Sequence, residues 1–321
     1  MRKILWAVLA LSLFAVQPGF AQEFPDKPVT MYVPYPPGGN VDVTARLVQN
    51  GMAEKLGQTV VVENRPGGGA QLAGLQVSRS APDGYSIFIG STGPVMMSAL
   101  VLQAPLYRWQ EAFTPVSMVA IANTVMVVRE GLPSKSLKDV LDYAKAHPGK
   151  FTIGTSAAGS INHMASELLQ LQSGIHMQGA FYRGDAAVVT DVMAGHIEAG
   201  IVQLSSAIGA IKGGKVRAVA LFSRERSPNL PDVPTAIESG FPTLLAENFV
   251  GVLAPKGTPK PIVDKIAGAI RHALENDEVK KRFEALGSEA NPSTPEEFTK
   301  FLTVETAKWK EVVTKNNIVV K

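Results

Sequence analysis

Apolar positions along the chain fall into two alternating patterns: short unbroken runs, and stripes spaced at i, i+3 and i+4. The run at 29–34 predicts a strand, ended by Tyr35-Pro36-Pro37-Gly38-Gly39. Val41, Ala45, Val48, Met52 and Leu56 then share one face of a helix that Gly57 closes. The same reading predicts strands over 59–63 and 85–90 and a helix over 72–79. Residues 113–116 lead into an extended stretch, 119–129, with a largely β-branched run at 124–128. An amphipathic helix over 137–146, a strand over 152–155 and helices over 162–171 and 185–193 follow. After a strand at 216–222, the chain finishes in helices over 261–275, 278–286 and 295–316. Strands repeatedly followed by helices predict α/β units around a largely parallel sheet.

Two interior breaks, near Asn123 and near Glu247, divide this pattern. They predict a middle domain over 124–246 inserted into a domain built from 22–123 and 247–321, with the two crossovers as a hinge. The first residues read differently. Arg2 and Lys3 precede an apolar run at 4–16, and Gly19 and Ala21 occupy the −3 and −1 places of a small-residue exit. That layout predicts a signal peptide, 1–21, cleaved after Ala21, and a mature protein exported to the periplasm.

Composition narrows the chemistry. The 321 residues contain no cysteine, which excludes thiol nucleophiles, disulfide frameworks and thiolate metal sites. A net charge of +3 provides no general attraction for nucleic acid. No two of the five histidines fall at i, i+4 ligand spacing with a carboxylate motif, so no metal or other cofactor is expected. No phosphate loop is present, the run from Gly67 lacks the third glycine of a dinucleotide fingerprint, and the run from Gly154 to Gly159 is one residue too long for a nucleophile elbow.

What remains is three strand–loop–helix turns. The first, Tyr35-Pro36-Pro37-Gly38-Gly39-Asn40, places prolines and bare glycines before a helix, so the N–H groups of Gly38, Gly39 and the first turn are expected to face open space. The second, Ser156-Ala157-Ala158-Gly159-Ser160, has Ser160 as a candidate N-cap. The third, Tyr182-Arg183-Gly184-Asp185, has Asp185 as candidate cap and carries the one cation of these loops. Ser91-Thr92-Gly93-Pro94 is a weaker fourth. In an open α/β sheet ligands sit at such turns, beyond the carboxyl ends of strands. Taken singly, each turn is also explained by ordinary helix capping. A Ser156–His163–Asp185 relay, making the chain a secreted serine hydrolase using Ser156 or Ser160, is the remote alternative.

Longer motifs point to a family. The run from Pro34 to Gly39 with Asp42 and Ala45-Arg46, then Val62-Glu63-Asn64-Arg65-Pro66-Gly67, Pro82-Asp83-Gly84-Tyr85, Gly159-Ser160 with His163, Pro231-Asp232-Val233-Pro234-Thr235 and Ala254-Pro255-Lys256-Gly257-Thr258-Pro259 closely resemble the substrate-binding proteins of tripartite tricarboxylate transporters, the Bug family. The resemblance is collinear over essentially the whole mature chain. It implies a two-domain α/β periplasmic binding protein of type II, a Venus flytrap with a mixed sheet in each domain. It also implies a non-enzymatic role: capturing a small carboxylate and passing it, as a monomer, to a membrane permease. The implied binding residues are Tyr35, Pro37, Gly38, Gly39 and Asn40 in the first loop, with Ser91 and Thr92. Ser156, Ala157, Gly159 and Ser160 follow in the second loop, and Tyr182, Arg183, Gly184 and Asp185 in the third. Gln203 stands where the family often has the second residue of an Asp-Asn pair, and Phe181-Tyr182-Arg183-Gly184 replaces a common Pro-Tyr-Lys-Gly. A ligand-sensing partner of a membrane signalling protein would share this fold and is the alternative role.

Overall fold

A computed structural model describes residues 24–315 and Ile318; the expected signal peptide lies outside them. In chain order the first elements are β1 (Val29–Val33), α1 (Asn40–Leu56), β2 (Val60–Asn64), α2 (Leu72–Ser78) and β3 (Ser86–Ser91). A π-helical turn (Gly93–Met97) runs into the short helices α3 (Ser98–Val101) and α4 (Trp109–Ala112), and then β4 (Phe113–Ala122). The middle segment holds β5 (Thr124–Arg129), α5 (Leu137–Ala146), β6 (Thr152–Thr155), α6 (Ile161–Ser173), β7 (Gln178–Phe181), α7 (Asp185–Ala194), β8 (Ala199–Gln203), α8 (Leu204–Lys212) and β9 (Val216–Leu221). The chain returns through β10 (Asn248–Pro255), α9 (Lys260–Glu275), α10 (Asp277–Ala285), β11 (Ser288–Ala290) and α11 (Pro295–Lys315).

These strands form two sheets, ordered β11-β4-β10-β3-β1-β2 and β7-β6-β8-β5-β9. Each is mixed rather than largely parallel. β1 runs parallel to β2 and β3, while β10 runs antiparallel to β3 and β4. In the second sheet β6 is parallel to β7 and β8, and β5 is antiparallel to β8 and β9. In the first sheet β10 and β11 oppose the other four strands, and in the second β5 alone opposes the rest. The apolar stripe of α1 is buried as its spacing predicts, with Ala45, Val48 and Met52 fully enclosed between the first sheet and α9. At Gly51 the two helices approach so closely that a Cβ would lie 2.7 Å from Ala273 Cα.

The expected extended stretch at 119–129 is two strands belonging to different sheets. β4 ends at Ala122, and β5 starts at Thr124. Asn123 therefore carries the chain between the sheets, and its carbonyl accepts Leu204 N–H at 2.7 Å. The return passes beside it: Phe222 N–H donates to Thr124 O and Ala246 N–H to Phe222 O, both at 2.9 Å, before Asn248 pairs with Ala122. Both crossings thus lie side by side at one end of the two sheets. Among the described residues no helix is long and apolar enough to cross a membrane.

Candidate ligand-binding cleft

The three predicted loops come together. The β1–α1 loop and the end of β3 face the β6–α6 and β7–α7 loops across a cavity of about 200 Å³. The first turns of α1, α6 and α7 all border it. The opening N–H groups of a helix have no intrahelical acceptor, and the helix dipole adds partial positive charge there. Three such ends around one cavity, drawn from both sheets' surroundings, make a site suited to an anion.

Each helix starts as its sequence dictates. Gly39 is the N-cap of α1 in extended conformation and has no side chain to occupy the first N–H groups. Gly38 takes φ of +88°, which a residue with a Cβ rarely adopts. Its N–H does not face the cavity as expected; it donates to Asp42 Oδ2 at 2.9 Å. Asp42 also accepts from Arg46 Nε at 3.1 Å and Asn64 Nδ2 at 2.8 Å, and Asn64 Nδ2 bonds Tyr35 O at 2.9 Å. Burial pushes the Asp42 carboxyl upward, but the donors from Arg46, Gly38 and Asn64 outweigh it and hold the pKa below its ordinary value. Gly38 is therefore part of a clamp that shapes the loop. Gly39 and Asn40 line the cavity itself.

Ser160 caps α6 as its position predicts, its Oγ accepting His163 N–H at 3.1 Å. The cap of α7 is Gly184; Asp185 is the first helical residue. The Asp185 side chain turns inward instead, where Oδ1 accepts Asn162 Nδ2 at 2.8 Å and Oδ2 accepts Gln203 N–H at 3.0 Å. Burial raises its pKa to about 6 against the opposing pull of these donors and of Ser156. Asn162 also donates to Ser156 Oγ at 3.1 Å and accepts Gln203 Nε2 at 2.6 Å. The result is a closed polar network, Ser156–Asn162–Asp185–Gln203, forming the floor of the cavity in the second sheet's half.

This network removes the hydrolase arrangement. His163 Nδ1 accepts Gly159 N–H at 3.1 Å and its Nε2 faces Glu167 at 3.4 Å. Ser156 and Asp185 are bonded to Asn162, which cannot act as a base, so Ser156, His163 and Asp185 form no relay.

Several expected residues take other places. Thr92 is a strut: its N–H donates to Asn248 Oδ1 at 3.2 Å and its Oγ1 accepts Phe249 N–H at 3.1 Å, tying β3 to the return crossing. Gly159 packs against Ser98 and Val101 of the opposite half. Ala157 and Tyr182 line a neighbouring chamber rather than this cavity, and the Tyr182 hydroxyl bonds Asp191 at 2.8 Å. Tyr35, Ser91 and Arg183 line the cavity as expected, with Tyr35 Oη 3.4 Å from Ser91 Oγ. Burial raises the Tyr35 pKa and keeps its hydroxyl protonated. Sequence reasoning missed Asn162 and Asn248 and placed Gly93 only in the weaker fourth turn; all three line the cavity.

The two halves touch. Ser205 Oγ, in α8, donates to Asn40 Oδ1, in α1, at 2.9 Å. A Cβ on Gly93 would lie 3.2 Å from Ser160 Cα, so the backbones meet there. Within this closed cleft two buried polar atoms, Asn40 Nδ2 and Gln203 Oε1, have no partner among the described residues. An unmet buried donor costs about 1–3 kcal/mol, which marks the place where a ligand acceptor would be stabilised.

The family model for the tripartite tricarboxylate transporter family receptor matches residues 44–318. The chain belongs to that family. It is 34% identical over 297 residues to protein BugT of Bordetella pertussis, covering 92% of this chain and 91% of that protein. Among solved structures, the periplasmic binding protein BugD superposes with a TM-score of 0.88 at 31% identity, covering 93% of this chain and all of that one. MatC of Rhodopseudomonas palustris, solved with bound malate, superposes with a TM-score of 0.86 at 30% identity, covering 90% of this chain and all of that one. Membership in this receptor family establishes a two-domain α/β binding protein, not an enzyme.

Proposed function

We propose that this receptor captures a small organic acid in the cleft and delivers it to a tripartite tricarboxylate-type membrane transporter. The observation that carries the reading is the meeting of three helix N-termini on one closed cavity that holds the unpartnered Asn40 Nδ2. One carboxylate of the ligand accepts from the N–H groups at Gly39, Asn40 and the first turn of α7, and from Asn40 Nδ2. Ser91, Ser156, Ser160 and Gln203 complete the polar wall. Oriented amides supply this attraction without a strongly basic protein, which suits the near-neutral charge. The malate held by MatC supports the same ligand class.

The lobes are 22–123 with 247–321, and 124–246, and they open about the paired crossings at Asn123 and Glu247. The mature chain is a periplasmic monomer released by cleavage after Ala21. The test is a melting screen against malate, succinate, other mono- and dicarboxylates and neutral controls. A true ligand at about 100 times its Kd adds about 2.7 kcal/mol to native stability, visible as a rise in Tm. No rise with any carboxylate overturns the reading.

A further inference from the structure

Beside the inner cavity lies a second chamber of about 450 Å³. Its walls come from both halves: the turn Pro66-Gly67-Gly68-Gly69-Ala70 on one side, Ala157, Ala158 and Phe181 on the other. Tyr35, Ser156 and Arg183 border both spaces, so the chamber and the cavity adjoin along those three residues. The glycines leave room there because they carry no side chain, and Leu72 braces the turn from behind; a Cβ on Gly67 would lie 2.9 Å from Leu72 Cδ1. Phe181, 55% exposed, supplies an apolar surface on the opposite wall.

Charge in this double space is simple. Among the described residues Arg183 is the one cation lining either part, and none lining the outer chamber is acidic. The nearest acid in sequence, Asp185, is already occupied by Asn162, Gln203 and Ser156. Arg183 is exposed and makes no hydrogen bond or ion pair with a described residue. A guanidinium without a partner, placed at the junction of two ligand-sized spaces, is arranged to meet an anionic group of the ligand rather than to stabilise the fold.

We infer that Arg183 is the specificity-determining residue for a two-ended acid: one carboxylate is held inside at Asn40, the aliphatic spacer passes Tyr35 and Ser156, and the second anionic end reaches Arg183 at the mouth of the outer chamber. This rests on the carboxylate reading above. It selects diacids over monoacids of equal length, and the outer chamber sets how long the spacer can be.

The experiment measures Kd by calorimetry for matched pairs, succinate with butyrate, adipate with hexanoate and suberate with octanoate, on the full mature chain and on Arg183→Gln, Arg183→Lys and Ala158→Trp. In the unmodified protein at least one diacid binds tenfold or more tightly than its monoacid partner, as a charge-assisted pair implies. In Arg183→Gln that ratio falls toward one, Arg183→Lys recovers part of it, and Ala158→Trp weakens suberate more than succinate. A diacid-to-monoacid ratio that is unchanged in Arg183→Gln overturns the assignment while leaving the carboxylate reading in place. Binding of no acid by the unmodified chain overturns both. Circular dichroism of each variant separates loss of binding from loss of fold.

Discussion

The Ser205 hydroxyl donates to Asn40 Oδ1 at 2.9 Å across the cleft, fixing the Asn40 amide so that its Nδ2 is buried without a partner among the described residues. One side chain of the second half thus orients a donor that belongs to the first. Ser205→Ala removes this tie and frees the amide. A net hydrogen bond is worth about 1 kcal/mol, so Kd for a bound acid is expected to rise about fivefold in calorimetry. Unchanged affinity would mean that the bond contributes nothing to the closed state.

Gly93 marks where the halves meet backbone to backbone. The three atoms nearest a Cβ there are Ser160 Cα at 3.2 Å, the Tyr35 hydroxyl at 3.6 Å and Gly159 O at 3.7 Å. Two of the three belong to the opposite half. Gly93→Val is therefore expected to obstruct closure while leaving the open molecule intact. Small-angle scattering with saturating ligand checks this: the unmodified protein compacts and the variant does not. Equal compaction in both would refute the contact.

Asp185 and Asp42 give opposite pH dependences. The folded pKa of Asp185 is raised by burial from 3.8 to about 6, so its contribution to stability is fully present below pH 3.8 and is lost as pH rises through about 6. The shift corresponds to about 3 kcal/mol. Asp42 is held below its ordinary value, so its contribution is present above that value and is lost on acidification. Denaturant titrations of Asp185→Asn against the unmodified protein from pH 4 to 7 should show the difference moving in favour of the variant as pH rises. A difference that stays constant over that window would contradict the buried-acid assignment.

The clamp on the first loop yields a further expectation. Asp42→Ala removes the acceptor of Gly38 N–H and one of the two acceptors of Asn64 Nδ2, which keeps Tyr35 O, at a cost of about 1–3 kcal/mol. Arg46→Ala removes only a half-exposed cation, whose pairing is worth about 0–1 kcal/mol. Urea unfolding of the two variants should separate them in that order. Equal costs would show that the ion pair, and not the acceptor, holds the loop.

The strand–loop–helix units and the cap at Ser160 were legible because each rests on local signals: an apolar stripe, a capping hydroxyl. β8 and α8 were not read because Ala199-Gly200-Ile201-Val202-Gln203 passes into Leu204 with no turn residue between strand and helix. β7 is four residues long and mostly exposed, with no apolar run to reveal it. The roles of Thr92 and Asn162 depend on contacts made from other parts of the chain. Thr92 meets Asn248 from 156 residues away, and Asn162 joins three elements at once. Family motifs located the loops, but that the Gly38 N–H braces its loop depends on the rotamer of Asp42, four residues on, which Arg46 and Asn64 hold in place.

The account rests on an anion held beside Asn40, and calorimetry of Asn40→Asp against the unmodified protein addresses that claim most directly. The substitution keeps the size of the side chain and the acceptor for Ser205, removes the Nδ2 donor and places a negative charge in the cavity. The expected result is 1:1 binding of a small carboxylate by the unmodified protein and at least a hundredfold weaker binding by the variant, with its circular dichroism spectrum unchanged. Equal affinity in the two proteins would contradict the proposed site.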